Sequence, residues 1–431
     1  MNFSLKLQNR SIQHQYWLKA KKLFAFVYQT FIRSNLCYMH PTMPPTTPLR
    51  MEALKYLIPF LMALILTTVR AQYPAVAIPG TEVRKITSKI VAAQEYELHI
   101  MLPAGYNAAD KKYPVVYLMD SQWDFPLVTG LYGYHYYDGF IPELIIVGVT
   151  WSGEHVNYDS LRLRDYSPTK LEQVTVSPEI YGLMSLSSSV PTPQSGGADQ
   201  FLAFMKQELF PFIESNYKAD GKNRTLMGCS AGGLFTVYTL LTQPELFTGY
   251  AAASPHIPWD NGVLYKYEQE FAQKRLPNPI RVYMTVGDVE LTRPAFEKFV
   301  ATMKARKYPS VRLQSKILEN TGHGGTKNET YARGLQYVFE RPQLKLAATL
   351  LNGYAGTYQL PDGRTLQLKN EDGQLALYFA SNRIFTLYAA DEKDFYATAQ
   401  FLNIRFENAS GKPPGFWLET YRDKQFIKKT D

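Results

Sequence analysis

Between residues 83 and 318 the apolar positions fall into short runs separated by stretches of helical spacing. Val83–Val91 and Gln94–Leu102 read as two strands, the second alternating until Pro103 stops it. Tyr113–Met119 is apolar throughout and ends in Asp120, as a strand buried on both faces should. Leu144–Val149 repeats that pattern, and Arg224–Met227, Tyr250–Ala253, Arg281–Val286 and Val311–Leu318 complete the series. Between them, Asp199–Tyr217 sets Phe201, Met205, Phe212 and Ile213 on one helical face. Asp199 is its expected cap, and Pro211 is expected to kink or divide it. Pro294–Lys304 is a second helix. Strands alternating with helices predict an α/β domain built on a doubly wound, mostly parallel sheet.

Across Pro342–Leu350 the pattern changes to period two. Thr365–Leu368, Leu375–Phe379, Ile384–Tyr388, Asn403–Phe406 and Phe416–Tyr421 are strand-like. Asp362-Gly363 and Asp372-Gly373 have hairpin-turn chemistry, with positive φ expected at both sites of each. A small all-β domain of about 80 residues is therefore expected to follow the α/β domain. The expected division is 72–345 for the α/β domain and 346–431 for the β domain.

Charge changes the picture only at the N-terminus. The chain of 431 residues has a formal net charge of +8. Residues 1–71 carry nine Lys/Arg (positions 6, 10, 19, 21, 22, 33, 50, 55 and 70) and one acid, Glu52. Taking these from the 46 bases and 38 acids leaves 37 of each, so no basic stripe argues for a nucleic-acid partner. From Met51 a short basic start, an apolar run from Tyr56 to Val69 and Arg70-Ala71-Gln72 describe a secretory signal. Residues 51–71 are read as that signal, with a retained anchor as the alternative. Residues 1–50, ending in a Pro-rich stretch, are read as an upstream extension missing from the mature protein; a transit peptide is the alternative. Removal of this segment leaves Cys229 as the single cysteine, so no internal disulfide is expected. An exported, disulfide-free protein suits a bacterial periplasm.

The chemistry centres on Gly228-Cys229-Ser230-Ala231-Gly232. An apolar strand leads into Gly-x-Ser-x-Gly and a helix-like segment, Leu234–Leu241, leads out, the context of a nucleophile elbow. Side chains at 228 and 232 would clash in so sharp a turn. The pattern alone arises by chance in roughly one chain in ten of this length. A base, an acid and an oxyanion hole must therefore be found on the right strands. In this arrangement the order is nucleophile, acid, histidine. His99, His135 and His155 precede Ser230, and His256 follows its strand one strand too early. His323, in Asn320–Gly325, comes after the last apolar strand and is the expected base. Gly287-Asp288-Val289-Glu290 offers two carboxylates after the strand before it; the usual spacing favours Glu290 over Asp288. The oxyanion donors are expected to be the N–H of Ala231 and one from the Asp120–Asp124 turn, Gln122 ahead of Ser121. No histidine or cysteine cluster has ligand spacing, so neither metal nor cofactor is expected.

These residues resemble the putative-esterase family of α/β-hydrolases, which holds enterochelin and other siderophore-ester hydrolases, esterase D, feruloyl and acetylxylan esterases and mycolyltransferases. The resemblance spans about residues 85–340 and rests on Tyr117–Trp123, Arg162–Pro168, Gly196–Leu202, Gly228–Gly233, Ser254–Trp259 and Gly287–Glu290. It implies an α/β-hydrolase fold, Ser230 as nucleophile and His323 as base, with a small-molecule ester as substrate. Ser121 replaces the usual glycine, and His256 stands where the family commonly has serine. Some siderophore hydrolases of this type work with a Ser–His pair lacking a firm acid, which is the alternative to a triad that includes Glu290. The β tail resembles a small domain appended to serine-β-lactamase-like proteins.

Arg162, Arg164 and Trp123 are candidate substrate contacts, the arginines for a carboxylate or catecholate. Arg164 equally suits a salt bridge to Asp165 that pins its loop, and that structural reading comes first. Tyr132, Tyr134, Tyr136 and Tyr137 suit either ligand stacking or packing. The expected function is an exported serine carboxylic-ester hydrolase working through an acyl-enzyme. The alternatives are an acyltransferase on the same fold and a binding protein that has lost catalysis.

Overall fold

A computed structural model describes residues 77–107, 111–153, 155–171, 194–276, 278–407 and 414–430. The expected signal, the extension before it and most of the Ser/Pro-rich stretch 185–197 lie outside the described residues.

One eight-stranded sheet has the order β1-β2-β4-β3-β5-β6-β7-β8. Its strands are β1 (Thr81–Thr87), β2 (Glu95–Met101), β3 (Tyr113–Leu118), β4 (Ile145–Trp151), β5 (Ala219–Cys229), β6 (Gly249–Ala253), β7 (Ile280–Gly287) and β8 (Val311–Leu318). The β1–β2 and β2–β4 pairs are antiparallel, and every pair from β4–β3 to β7–β8 is parallel. This is the α/β-hydrolase arrangement that the strand–helix alternation implies. Parallel strands need both faces covered, and alternate residues of β3 do separate work. Val115 and Tyr117 join the large core cluster with Phe201 and Phe235, whereas Val116 and Leu118 join the second with Tyr132 and Tyr331.

Among the described residues the α-helices of seven or more residues are α1 (Ser121–Tyr137), α2 (Tyr158–Tyr166), α3 (Ala198–Phe204), α4 (Phe210–Asn216), α5 (Ala231–Thr242), α6 (Leu264–Phe271), α7 (Arg293–Ala305), α8 (Thr326–Val338) and α9 (Ala348–Tyr354). The segment expected as one helix over Asp199–Tyr217 divides at a π-helical turn, Met205–Leu209, between α3 and α4. Pro211 accounts for the break, since it lacks an N–H and its ring crowds the preceding turn. Asp199 is not the cap. Gly197 holds that position, and Asp199 sits inside the first turn with Oδ1 accepting from Gln200 N at 2.8 Å.

The tail forms a closed antiparallel barrel of β9 (Gly356–Gln359), β10 (Thr365–Glu371), β11 (Gln374–Phe379), β12 (Asn382–Ala389), β13 (Asp394–Tyr396), β14 (Leu402–Glu407), β15 (Gly415–Thr420) and β16 (Lys424–Lys429). Pairing of β16 with β9 closes it and removes the sheet edges. Inward residues, among them Leu368, Leu375, Ile404, Phe406 and Phe416, fill its interior. Asp372 and Gly373 both take positive φ, as a two-residue hairpin requires. At the other turn only Gly363 does, because Leu360–Arg364 closes a longer loop.

The barrel sits on the C-terminal end of α1. Tyr136 packs on Phe401 (ring centroids 4.7 Å apart), Tyr137 packs on Tyr421 (5.0 Å), and Phe401 N donates to Tyr137 O. Two of the four tyrosines considered for ligand stacking therefore serve the domain junction.

Candidate active site

The elbow begins where β5 runs out. A Cβ at residue 228 would run into the Gly232 carbonyl, so only glycine lets the chain reverse there. Ser230 takes φ 60 and ψ −115, a conformation that costs about 1–3 kcal/mol and persists only where surroundings enforce it. They do so through three bonds: Ser230 N donates to Ala253 O at 3.0 Å, and Ser230 O accepts from Leu234 N at 2.8 Å and His256 N at 3.3 Å. Helix α5 starts at Ala231, so its first N–H groups point toward the side of Ser230 with the positive end of the helix dipole. Cys229 is buried beneath, and burial pushes its thiol up to about 12, which leaves it an inert apolar residue.

His323 lies between β8 and α8, with its side chain half exposed. Its Nδ1 is 2.7 Å from Glu290 Oε2. The carboxylate is itself anchored, for Glu290 Oε1 accepts from Ser254 Oγ at 2.5 Å and Gly287 N at 2.8 Å. Burial pushes the Glu290 carboxyl up, but the bonds from His323, Ser254 and Gly287 outweigh it and hold the group below its ordinary value. Asp288 turns the other way, its Oδ1 accepting from Thr321 N at 3.1 Å. Among the described residues, no hydrogen bond joins Ser230 to the imidazole. Such contacts are often loose without substrate.

Sequence reasoning missed Ser254, a polar residue directly after β6 whose hydroxyl also meets Thr326 Oγ1 at 2.9 Å. His256 lies close by. Burial first, and His323 second, hold its imidazole below the ordinary histidine value.

On the opposite side of the elbow, Asp120 takes a left-handed conformation (φ 58) and α1 begins. Trp123 N and Asp124 N both donate to Asp120 O, at 3.0 and 3.1 Å, so Gln122 N is the last N–H before the helix ladder engages. The side-chain amide of Gln122 is buried with neither polar atom hydrogen-bonded. Asp124 ties this turn to α8, accepting from Lys327 Nζ at 2.6 Å and Tyr331 Oη at 2.5 Å.

The arginines considered for substrate are engaged elsewhere. Arg162 grips Asp120 with two bonds, 2.6 and 2.9 Å, and lies over the Trp123 ring at 5.1 Å. Arg164 grips Asp165 in the same way and also reaches Gln94 Oε1 at 2.9 Å. Both forks are spent on buried carboxylates: Arg162 ties α2 to the Asp120 turn, and Arg164 and Asp165 both lie within α2, which is a helix rather than the expected loop. Trp123 is about half exposed and is left as an open surface.

A strained serine elbow and a histidine–carboxylate pair, carried on loops of this sheet, are features of a serine hydrolase of the α/β class. The sequence model described as "Putative esterase" matches residues 181–358. The ferri-bacillibactin esterase BesA of Bacillus subtilis is 32% identical over 231 residues, covering 50% of this chain and 73% of that protein. Among solved structures, the BES protein from Bacillus cereus aligns with TM-score 0.55 at 25% identity, over 62% of this chain and 99% of that one. An IroE-like serine hydrolase from Shewanella oneidensis aligns with TM-score 0.51 at 25% identity, over 60% and 80%. The chain belongs to the putative-esterase family and is a serine ester hydrolase.

Proposed function

We propose that Ser230, His323 and Glu290 act as a triad that hydrolyses a siderophore-type or acyl-carbohydrate ester outside the cytoplasm. The observation that carries this reading is the 2.7 Å contact between His323 Nδ1 and Glu290 Oε2 beside the strained Ser230 elbow. With Nδ1–H donated to Glu290, Nε2 is left to take the Ser230 proton as Oγ attacks the ester carbonyl. The N–H groups of Ala231 and Gln122 hold the resulting oxyanion, each contributing about 3–4 kcal/mol to the transition state. His323 returns the proton to the leaving alkoxide, and water releases the acyl group from Ser230 by the same steps. Similarity to a ferri-bacillibactin esterase favours the siderophore class of substrate.

The test is a rate comparison on a catecholate trilactone, with and without iron, an acylated xylo-oligosaccharide and p-nitrophenyl acetate. The trilactone is expected to have the highest kcat/KM, and Ser230→Ala to lower kcat on every substrate by about 10⁴ or more. Wild-type turnover in Ser230→Ala would overturn the reading. Export is part of the proposal: the mature chain is expected to begin near Gln72, and N-terminal sequencing of secreted protein that starts near residue 1 would refute it.

A further inference from the structure

Behind the Gln122 turn lies a second set of hydrogen bonds that the reaction does not consume. Ser121 is 1% exposed, so its hydroxyl faces inward and cannot meet substrate. Its Oγ is 2.8 Å from His99 Nδ1, and His99 Nε2 is 3.1 Å from Glu97 Oε1. Glu97 and His99 are two apart on β2 and so share a face. The carboxylate only accepts, which places the ring proton on Nε2 and leaves Nδ1 to accept from the Ser121 hydroxyl. Packing keeps the ring in place, because Phe125 of α1 meets it edge-on with centroids 5.5 Å apart.

The sheet makes room for this contact. His99 pairs across the β2–β4 ladder with Gly148, and a Cβ at 148 would overlap the Ser121 hydroxyl. On the other side of the turn, Asp120 is fixed by Arg162 through its carboxylate and by Tyr166 Oη, which accepts from Asp120 N at 3.3 Å. The peptide bearing Gln122 N–H is therefore clamped from two directions.

We infer that Glu97 and His99 are positioning residues for the oxyanion hole, acting through the Ser121 hydroxyl to hold the Gln122 N–H on line. This rests on the assignment of Gln122 as donor. A displacement of about 1 Å in such a donor costs on the order of 100-fold in rate, so a clamp here reads out in kcat.

The experiment measures kcat, KM and inhibition by a trifluoromethyl ketone, whose Ser230 adduct carries an oxyanion, in Ser121→Ala, His99→Leu, their double variant and His99→Asn. Both single variants are expected to lose about tenfold or more in kcat with KM within about twofold, and to bind the ketone correspondingly more weakly. The double variant should be no worse than the poorer single, since both remove one contact. His99→Asn, which presents Oδ1 where Nδ1 stood, should keep kcat within about threefold. If His99→Leu does not fold, Ser121→Ala and His99→Asn decide the matter. Wild-type kcat and ketone affinity in folded Ser121→Ala would overturn the inference, as would losses confined to KM or to thermal stability. Ser230→Ala separates the two readings: its inactivity alongside a normal Ser121→Ala rate removes the clamp alone, whereas its activity removes the mechanism beneath it.

Discussion

Glu290 lies in a loop, yet three donors converge on its carboxylate. Its depressed carboxyl pKa has a definite sign in pH behaviour. A carboxyl whose folded pKa lies below the unfolded value contributes stability fully present above the unfolded value and lost as pH falls through the folded one. Ser254→Ala removes one of the donors, so the acid limb of kcat/KM and of stability should both move to higher pH, as pH–rate profiles and urea melts would show. Glu290→Gln should lower kcat by about 100-fold or more, since an amide cannot stabilise the imidazolium and tends to select the wrong tautomer. An unchanged kcat would leave a Ser–His pair as the machinery. Cys229 makes a further prediction at this scale: buried and with its thiol pushed up to about 12, it should resist iodoacetamide until the protein unfolds, as mass spectrometry would record.

Among the elements, the parallel strands follow the apolar pattern because burial on both faces leaves few alternatives, whereas α1 has no amphipathic stripe and was not among the expected helices. The departures have local causes. A π-helical turn precedes Pro211, Gly197 replaces Asp199 as cap, and β9, β13 and β16 are too short or too polar to stand out by period. The junction between α1, the segment after α8 and the barrel was not legible at all. Arg341 there is partly buried, donates to Asn403 Oδ1 at 2.7 Å and lies 3.9 Å over the Tyr396 ring. Arg341→Ala should destabilise the protein by about 1–3 kcal/mol in denaturant melts while leaving kcat on p-nitrophenyl acetate unchanged.

Across the whole molecule the barrel is joined to the α/β domain by aromatic packing, so removing residues 346–431 would uncover the faces of Tyr136 and of the already half-exposed Tyr137 that pack on Phe401 and Tyr421. The truncated chain should show lower solubility and increased dye binding by light scattering and fluorescence. By itself the sequence determined the strand order of chemistry: a Gly-x-Ser-x-Gly turn after one strand, carboxylates after a later one and a histidine after the last. These follow from local rules, since turn sterics demand glycine and apolar runs demand burial. Tertiary structure decided which distant groups face one another. Spacing already favours Glu290 over Asp288 and an Arg164–Asp165 pair; the fold alone laid Arg162 on Asp120 and brought His99 of β2 to Ser121 through the gap at Gly148. The physical reason is that hydrogen bonds between side chains act over a few ångströms in space, and residues tens of positions apart acquire that proximity only when the sheet assembles.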